Sequence, residues 1–166
     1  QLALFMQFVN ANIAKVAGKL HRWREKSWSR RYRSNVVADE KAAHGRLRYI
    51  MAHGAKEGLV AKSGDWPGPH CIAALTTGTV LRGTWFDRSA EFAARQRAEK
   101  VRPSQFATSY DIELTPLPCH THMTLEERRT EYRHMHKEIQ AEAEERNAAQ
   151  GRKPMGVEAI LAQDPN

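Results

Sequence analysis

Apolar residues recur at steps of three and four from the start of the chain, where Leu2, Phe5, Val9, Ile13, Val16 and Leu20 form one stripe. That period is the seam of an amphipathic helix and predicts one over residues 2–21. A short strand is expected at 32–37. Asp39 then reads as the N-cap of a helix carrying Leu47, Tyr49 and Ile50 inward, with His53-Gly54 as its stop. A turn-rich unit ends in Glu57-Gly58-Leu59-Val60, and Asp65-Trp66-Pro67-Gly68-Pro69 punctuates the loop after it. A short apolar helix over 71–75 is closed by Gly78, residues 79–86 read as extended, and 89–100 as a helix with Phe92 and Ala93 inward. Polar and apolar residues alternate over 110–114 before Pro116, the mark of a strand. Thr124-Leu125-Glu126-Glu127 is a capping box that opens the longest helix, with Leu125, Tyr132, Met135 and Ile139 as its seam and Gly151 as its end. Its remaining surface is heavily charged, so an exposed arm or outer helix is expected. A brief helix over 157–161 finishes the chain. The predicted class is α+β, predominantly helical.

With 166 residues and 41% hydrophobic side chains, the chain can furnish a modest core. Its apolar runs fall far short of the ~20 residues of a membrane-spanning helix, so no membrane partner is expected. Cys71 and Cys119 lie far apart with no CxxC spacing, which argues against a disulfide framework and for a reducing, cytoplasmic setting. Residue 1 is Gln, and the expectation is a processed chain or a fragment.

Charge sharpens the picture. The net charge of +7 is unevenly spread: residues 1–50 carry 11 basic and 3 acidic side chains, whereas residues 101–166 carry 8 and 11. Lys15 and Lys19 lead into a segment in which Arg22, Arg24, Lys26, Arg30, Arg31 and Arg33 interleave with Trp23, Trp28 and Tyr32. Cations neutralise phosphates and flat rings stack on unpaired bases, so this segment is the candidate nucleic-acid site. The plainer alternative is a solvated basic loop with buried tryptophans.

Three stretches, taken in order, carry a resemblance: Phe5-Met6-Gln7-Phe8-Val9-Asn10, Trp28-Ser29-Arg30-Arg31-Tyr32, and Leu47-Arg48-Tyr49-Ile50 continuing to Glu57-Gly58-Leu59-Val60 and Asp65-Trp66-Pro67-Gly68. Together they resemble the second half of the REP-associated tyrosine transposases, single-tyrosine members of the HUH class. The resemblance covers roughly residues 4–70. It implies a transposase-like, DNA-binding portion over 1–70, a remnant of a ferredoxin-like domain, and an accessory helical extension over 71–166. His53-Gly54 replaces the family's Asn-Pro.

The resemblance also implies a mechanism. Such enzymes cut single-stranded DNA with a tyrosine hydroxyl, while two histidines flanking a hydrophobic residue hold Mg²⁺ or Mn²⁺ against the phosphate. Phe5 stands at the family's tyrosine position, and a phenyl ring has no nucleophilic oxygen. The histidine pair is expected upstream of residue 1. Cys119-His120-Thr121-His122 has a similar spacing, but it follows Pro116-Leu117-Pro118, precedes a helix cap, and comes after the helix motif. It is expected to be an exposed turn with incidental transition-metal affinity. His134 and His136 lie two apart on a helix and face different ways. Tyr32 is expected to be structural and Tyr49 to lie in the core. The sequence therefore assigns no catalytic residue, no metal ligand and no cofactor to this chain. It points to binding of single-stranded or hairpin DNA, with a homodimer also compatible. The alternatives are a non-catalytic nucleic-acid-binding regulator and a helical protein-interaction module.

Overall fold

A computed structural model describes residues 1–22, 27–28, 30, 32–97 and 100–163. Helix α1 spans Leu2–Leu20, α2 Glu40–Ala52, α3 Ile72–Thr77, α4 Arg88–Gln96, α5 Leu125–Ala149 and α6 Val157–Leu161. Strands β1 (Leu81–Phe86) and β2 (Ala107–Ile112) pair antiparallel, with Leu81 opposite Ile112 and Phe86 opposite Ala107. The class is α+β and mostly helical.

Local chemistry explains most boundaries. The Asp39 carboxylate accepts from the Ala42 N–H at 2.7 Å, satisfying a donor that the first turn of α2 leaves unpaired. At α5 both halves of the capping box form, with the Glu127 carboxylate accepting from the Thr124 N–H at 2.7 Å. Gly78 closes α3 in the left-handed conformation, φ 82°, which costs little without a Cβ.

The core is built where α2, α3 and α5 meet: Met51, Ile72, Met135 and Ile139 are buried together, flanked by Leu47 and Leu75. A second cluster joins Ala55, Val60 and Ala143, with Trp66, Val157 and Ile160 packed against it. Arg48 ties α2 to α5 across the rim, its guanidinium donating to Glu138 at 2.8 Å and Glu142 at 2.6 Å.

Several expectations are corrected. Residues 32–37 form no strand, because no described segment offers them a ladder of hydrogen bonds. The α5 helix is a core element instead of an exposed arm: Tyr132, Met135, Ile139 and Ala143 are buried at helical spacing, and only the remaining faces are charged. Leu125, at the mouth of that helix, is exposed. Tyr49 is exposed, since the core takes Leu47 and Met51, one turn apart, and position 49 falls two residues away on the far side. Its ring instead lies 5.0 Å beneath the Lys56 ammonium. In α4 the residue facing inward is Ala94, and Phe92 is exposed for the same angular reason. The second strand begins earlier than its apolar alternation suggested, because pairing with β1 draws in the polar Thr108 and Ser109.

None of the α1 residues is buried. This helix lies apart from the main core and touches the hairpin through Phe8, whose ring meets that of Trp85.

Candidate nucleic-acid interface and a histidine–cysteine cluster

The carboxyl-terminal half of α1 presents Lys15 and Lys19 to solvent, and Arg22 turns the chain away from it in the left-handed region, φ 53°. Basic residues near this end also complement the helix dipole. Arg30, Tyr32 and Arg33 follow in exposed, irregular chain. Trp23, Arg24, Lys26 and Arg31 lie outside the described residues. Among the described residues, Lys15, Lys19, Arg22, Arg30 and Arg33 have no acidic partner, so their charge is available to an anion.

Trp28, the tryptophan of this segment among the described residues, is not buried. Trp28 keeps 48% of its surface exposed while its indole N–H donates to the Asn10 carbonyl at 3.0 Å. That bond anchors the basic segment to α1 and leaves the ring accessible.

A second aromatic surface was missed by the sequence reading. Strand alternation puts Leu81, Gly83 and Trp85 on one face of β1, and α1 crosses near that face. Between them runs a groove of about 590 Å³ whose walls include Phe8, Asn12, Lys15, Trp85 and Arg88. Trp85 is 46% exposed and its ring lies 5.6 Å from that of Phe8, inclined by 30°. Asp87 also reaches this groove, but its carboxylate caps α4 by accepting from the Ala90 N–H at 2.9 Å. Trp85 falls in the segment 79–86 that the sequence reads as extended, whereas its juxtaposition with Lys15 needs the tertiary fold.

Away from this surface, a buried polar cluster forms between α2, the 3-10 turn Pro118–His120 and α5. His120 is only 4% exposed. Its Nδ1 lies 2.9 Å from the Tyr132 hydroxyl and its Nε2 lies 2.6 Å from Nε2 of His44. The His44 and His120 rings meet edge to face at 83°. Cys119 completes the group, the donor atoms of His44, Cys119 and His120 all falling within 4.8 Å of one another. Burial, then the neighbouring His44, holds the His120 imidazole below its ordinary titration range, and burial pushes the Tyr132 phenol up.

This overturns the expectation of an exposed turn at 119–122. The 3-10 turn swings His120 inward against Tyr132 while His122 stays exposed, since residues two apart on such a turn point roughly 240° apart. His120 and His122 therefore do not converge and do not form a two-histidine metal pair with each other. His134 and His136 also diverge, His134 toward Glu138 and His136 into a part-buried position where its Nε2 has no partner. Phe5 is 61% exposed on α1.

No family model, curated protein or solved structure matches this chain. Among the described residues, no helix is long and apolar enough to cross a membrane.

Proposed function

We propose that this chain binds single-stranded or hairpin DNA as the nucleic-acid-binding portion of a transposase-like protein, with α1 as a remnant of a ferredoxin-like domain and without cleavage chemistry of its own. The observation that carries the reading is that Trp28 and Trp85 are each half-exposed, in a region whose cations Lys15, Lys19, Arg22, Arg30 and Arg33 have no acidic partner among the described residues. Unpaired bases stack on such rings at about 1–3 kcal/mol each, and Lys15, Lys19, Arg22, Arg30 and Arg33 meet the backbone phosphates. A duplex keeps its bases stacked inside and gains only the phosphate contacts. The order of the motifs from Phe8-Val9-Asn10 to Trp66-Pro67-Gly68 supports the transposase-like assignment, and Phe5 in place of a tyrosine supports the absence of cleavage. An intact relative would use Mg²⁺ or Mn²⁺.

Tryptophan fluorescence tests the reading. A single-stranded oligonucleotide should quench the emission of the full chain, with a smaller effect from the blunt duplex of the same sequence. Emission unchanged at saturating oligonucleotide would overturn it.

The run of exposed apolar residues along α1, including Leu4, Phe5 and Leu20, favours a second reading, self-association through that helix. Sedimentation of the full chain distinguishes the two, since self-association makes the apparent mass depend on concentration without DNA.

A further inference from the structure

We propose that His44, Cys119 and His120 form a binding site for a transition metal of the Zn²⁺ class, separate from the DNA-binding surface. Two imidazoles and a thiol are the donor set that suits zinc and not Mg²⁺ or Ca²⁺. They come from two parts of the chain 75 residues apart, and the fold brings their donor atoms within 4.8 Å.

The geometry of the histidines points to a cation. Their Nε2 atoms face each other at 2.6 Å, a separation at which both nitrogens cannot be bare, so one carries a proton that the other accepts. A metal ion takes the place of that proton and accepts both lone pairs. Zinc–nitrogen bonds of about 2.0–2.1 Å in tetrahedral array put the two nitrogens about 3.3 Å apart, so the imidazoles separate by about 0.7 Å on binding. His44 and Cys119 are only part-buried and have room for that shift.

The support behind the ligands has the form metal sites use. Tyr132 Oη lies 2.9 Å from His120 Nδ1, and with Nδ1–H donating to it the Nε2 lone pair is left facing His44. Such outer hydrogen bonds fix the tautomer and ring orientation of a ligating histidine. Tyr132 is itself buried on the longest helix, so the anchor is rigid. A groove of about 530 Å³, walled by Val37, Leu47, Ile50 and Leu117, reaches Cys119 and gives the ion an entry path. With three protein ligands, the fourth position is left to water. On binding, the Cys119 thiol gives up its proton to solvent, and the proton between the imidazoles moves through solvent from His44 Nε2 to His44 Nδ1, so that both histidines ligate as neutral rings. The ion would fasten the 118–120 turn to α2.

Cobalt is the probe. The full chain, freed of metal with a chelator, is titrated with Co²⁺ and then with Zn²⁺. The expected result is one equivalent bound, with intense visible bands of tetrahedral cobalt and a near-ultraviolet thiolate-to-cobalt band, both bleached by one equivalent of Zn²⁺. Cys119→Ser should abolish the thiolate band, Cys71→Ser should retain it, and Tyr132→Phe should retain it with 10–100-fold weaker affinity. His44→Gln, at a part-buried position whose folding is checked by circular dichroism, should weaken binding at least tenfold. Absence of the thiolate band at saturating Co²⁺, or its persistence in Cys119→Ser, would overturn the proposal.

Discussion

The rings of Phe8 and Trp85 meet with centroids 5.6 Å apart and planes inclined by 30°. This contact joins α1 to the β1–β2 hairpin, and it leaves Trp85 half-exposed beside Lys15 and Arg88. A ring held from one side by another ring is steadied for stacking on its free side, which is what the proposed binding of unpaired bases requires.

Trp85→Ala should therefore weaken binding of a single-stranded oligonucleotide by about 1–3 kcal/mol, roughly 5- to 150-fold in affinity, as read by fluorescence anisotropy. Trp28→Ala should do the same. Circular dichroism of both variants should match the parent, because neither ring is buried.

Stability should reside elsewhere. Ile139→Ala empties a site shared by α2, α3 and α5 and should cost about 2–5 kcal/mol in urea denaturation. Arg48→Ala removes two ion pairs whose glutamates are half-exposed, and should cost no more than about 1 kcal/mol for each.

Why some of this was legible in the sequence and some was not follows from range. The Asp39 and Thr124 caps, the Gly78 stop and the helical span of α1 depend on residues a few positions apart, and each appears where the spacing places it, although the apolar stripe of α1 stays largely exposed. The α6 helix also falls at the expected residues. Features set by distant partners were misread. His120 is drawn inward by Tyr132 and His44, which lie 12 and 76 residues away, and the charge on α5 masked a buried stripe because charge reports only the faces left over. Trp85 gained significance only when α1 came to lie beside it.

A pH dependence follows from His136, whose imidazole is held below its ordinary titration range by burial and whose Nε2 has no partner. The unfolded imidazole takes a proton near pH 6.5, and the folded one only at lower pH. Below about pH 6.5 the unfolded chain thus binds more protons, so the His136 contribution is constant above that value and is lost as pH falls toward the folded pKa. Urea midpoints from pH 8 to pH 5 should fall less steeply for His136→Leu than for the parent. Equal slopes would show that His136 does not titrate in this way.

Phe5→Tyr should form no covalent adduct with single-stranded DNA in Mg²⁺ or Mn²⁺, assayed on a denaturing gel. Attack by a phenol on a phosphodiester needs the hydroxyl in line and a metal neutralising the oxygens, and the substitution supplies only the first. His120 and His122, which point apart, do not supply the second.

The salt dependence of single-strand binding tests the central claim most directly. If Lys15, Lys19, Arg22, Arg30 and Arg33 each neutralise a phosphate, the logarithm of the association constant should fall against the logarithm of salt concentration with a slope of roughly −3 to −4. The blunt duplex should bind more weakly at every salt concentration. A flat response to salt, or tighter binding of the duplex, would contradict the account.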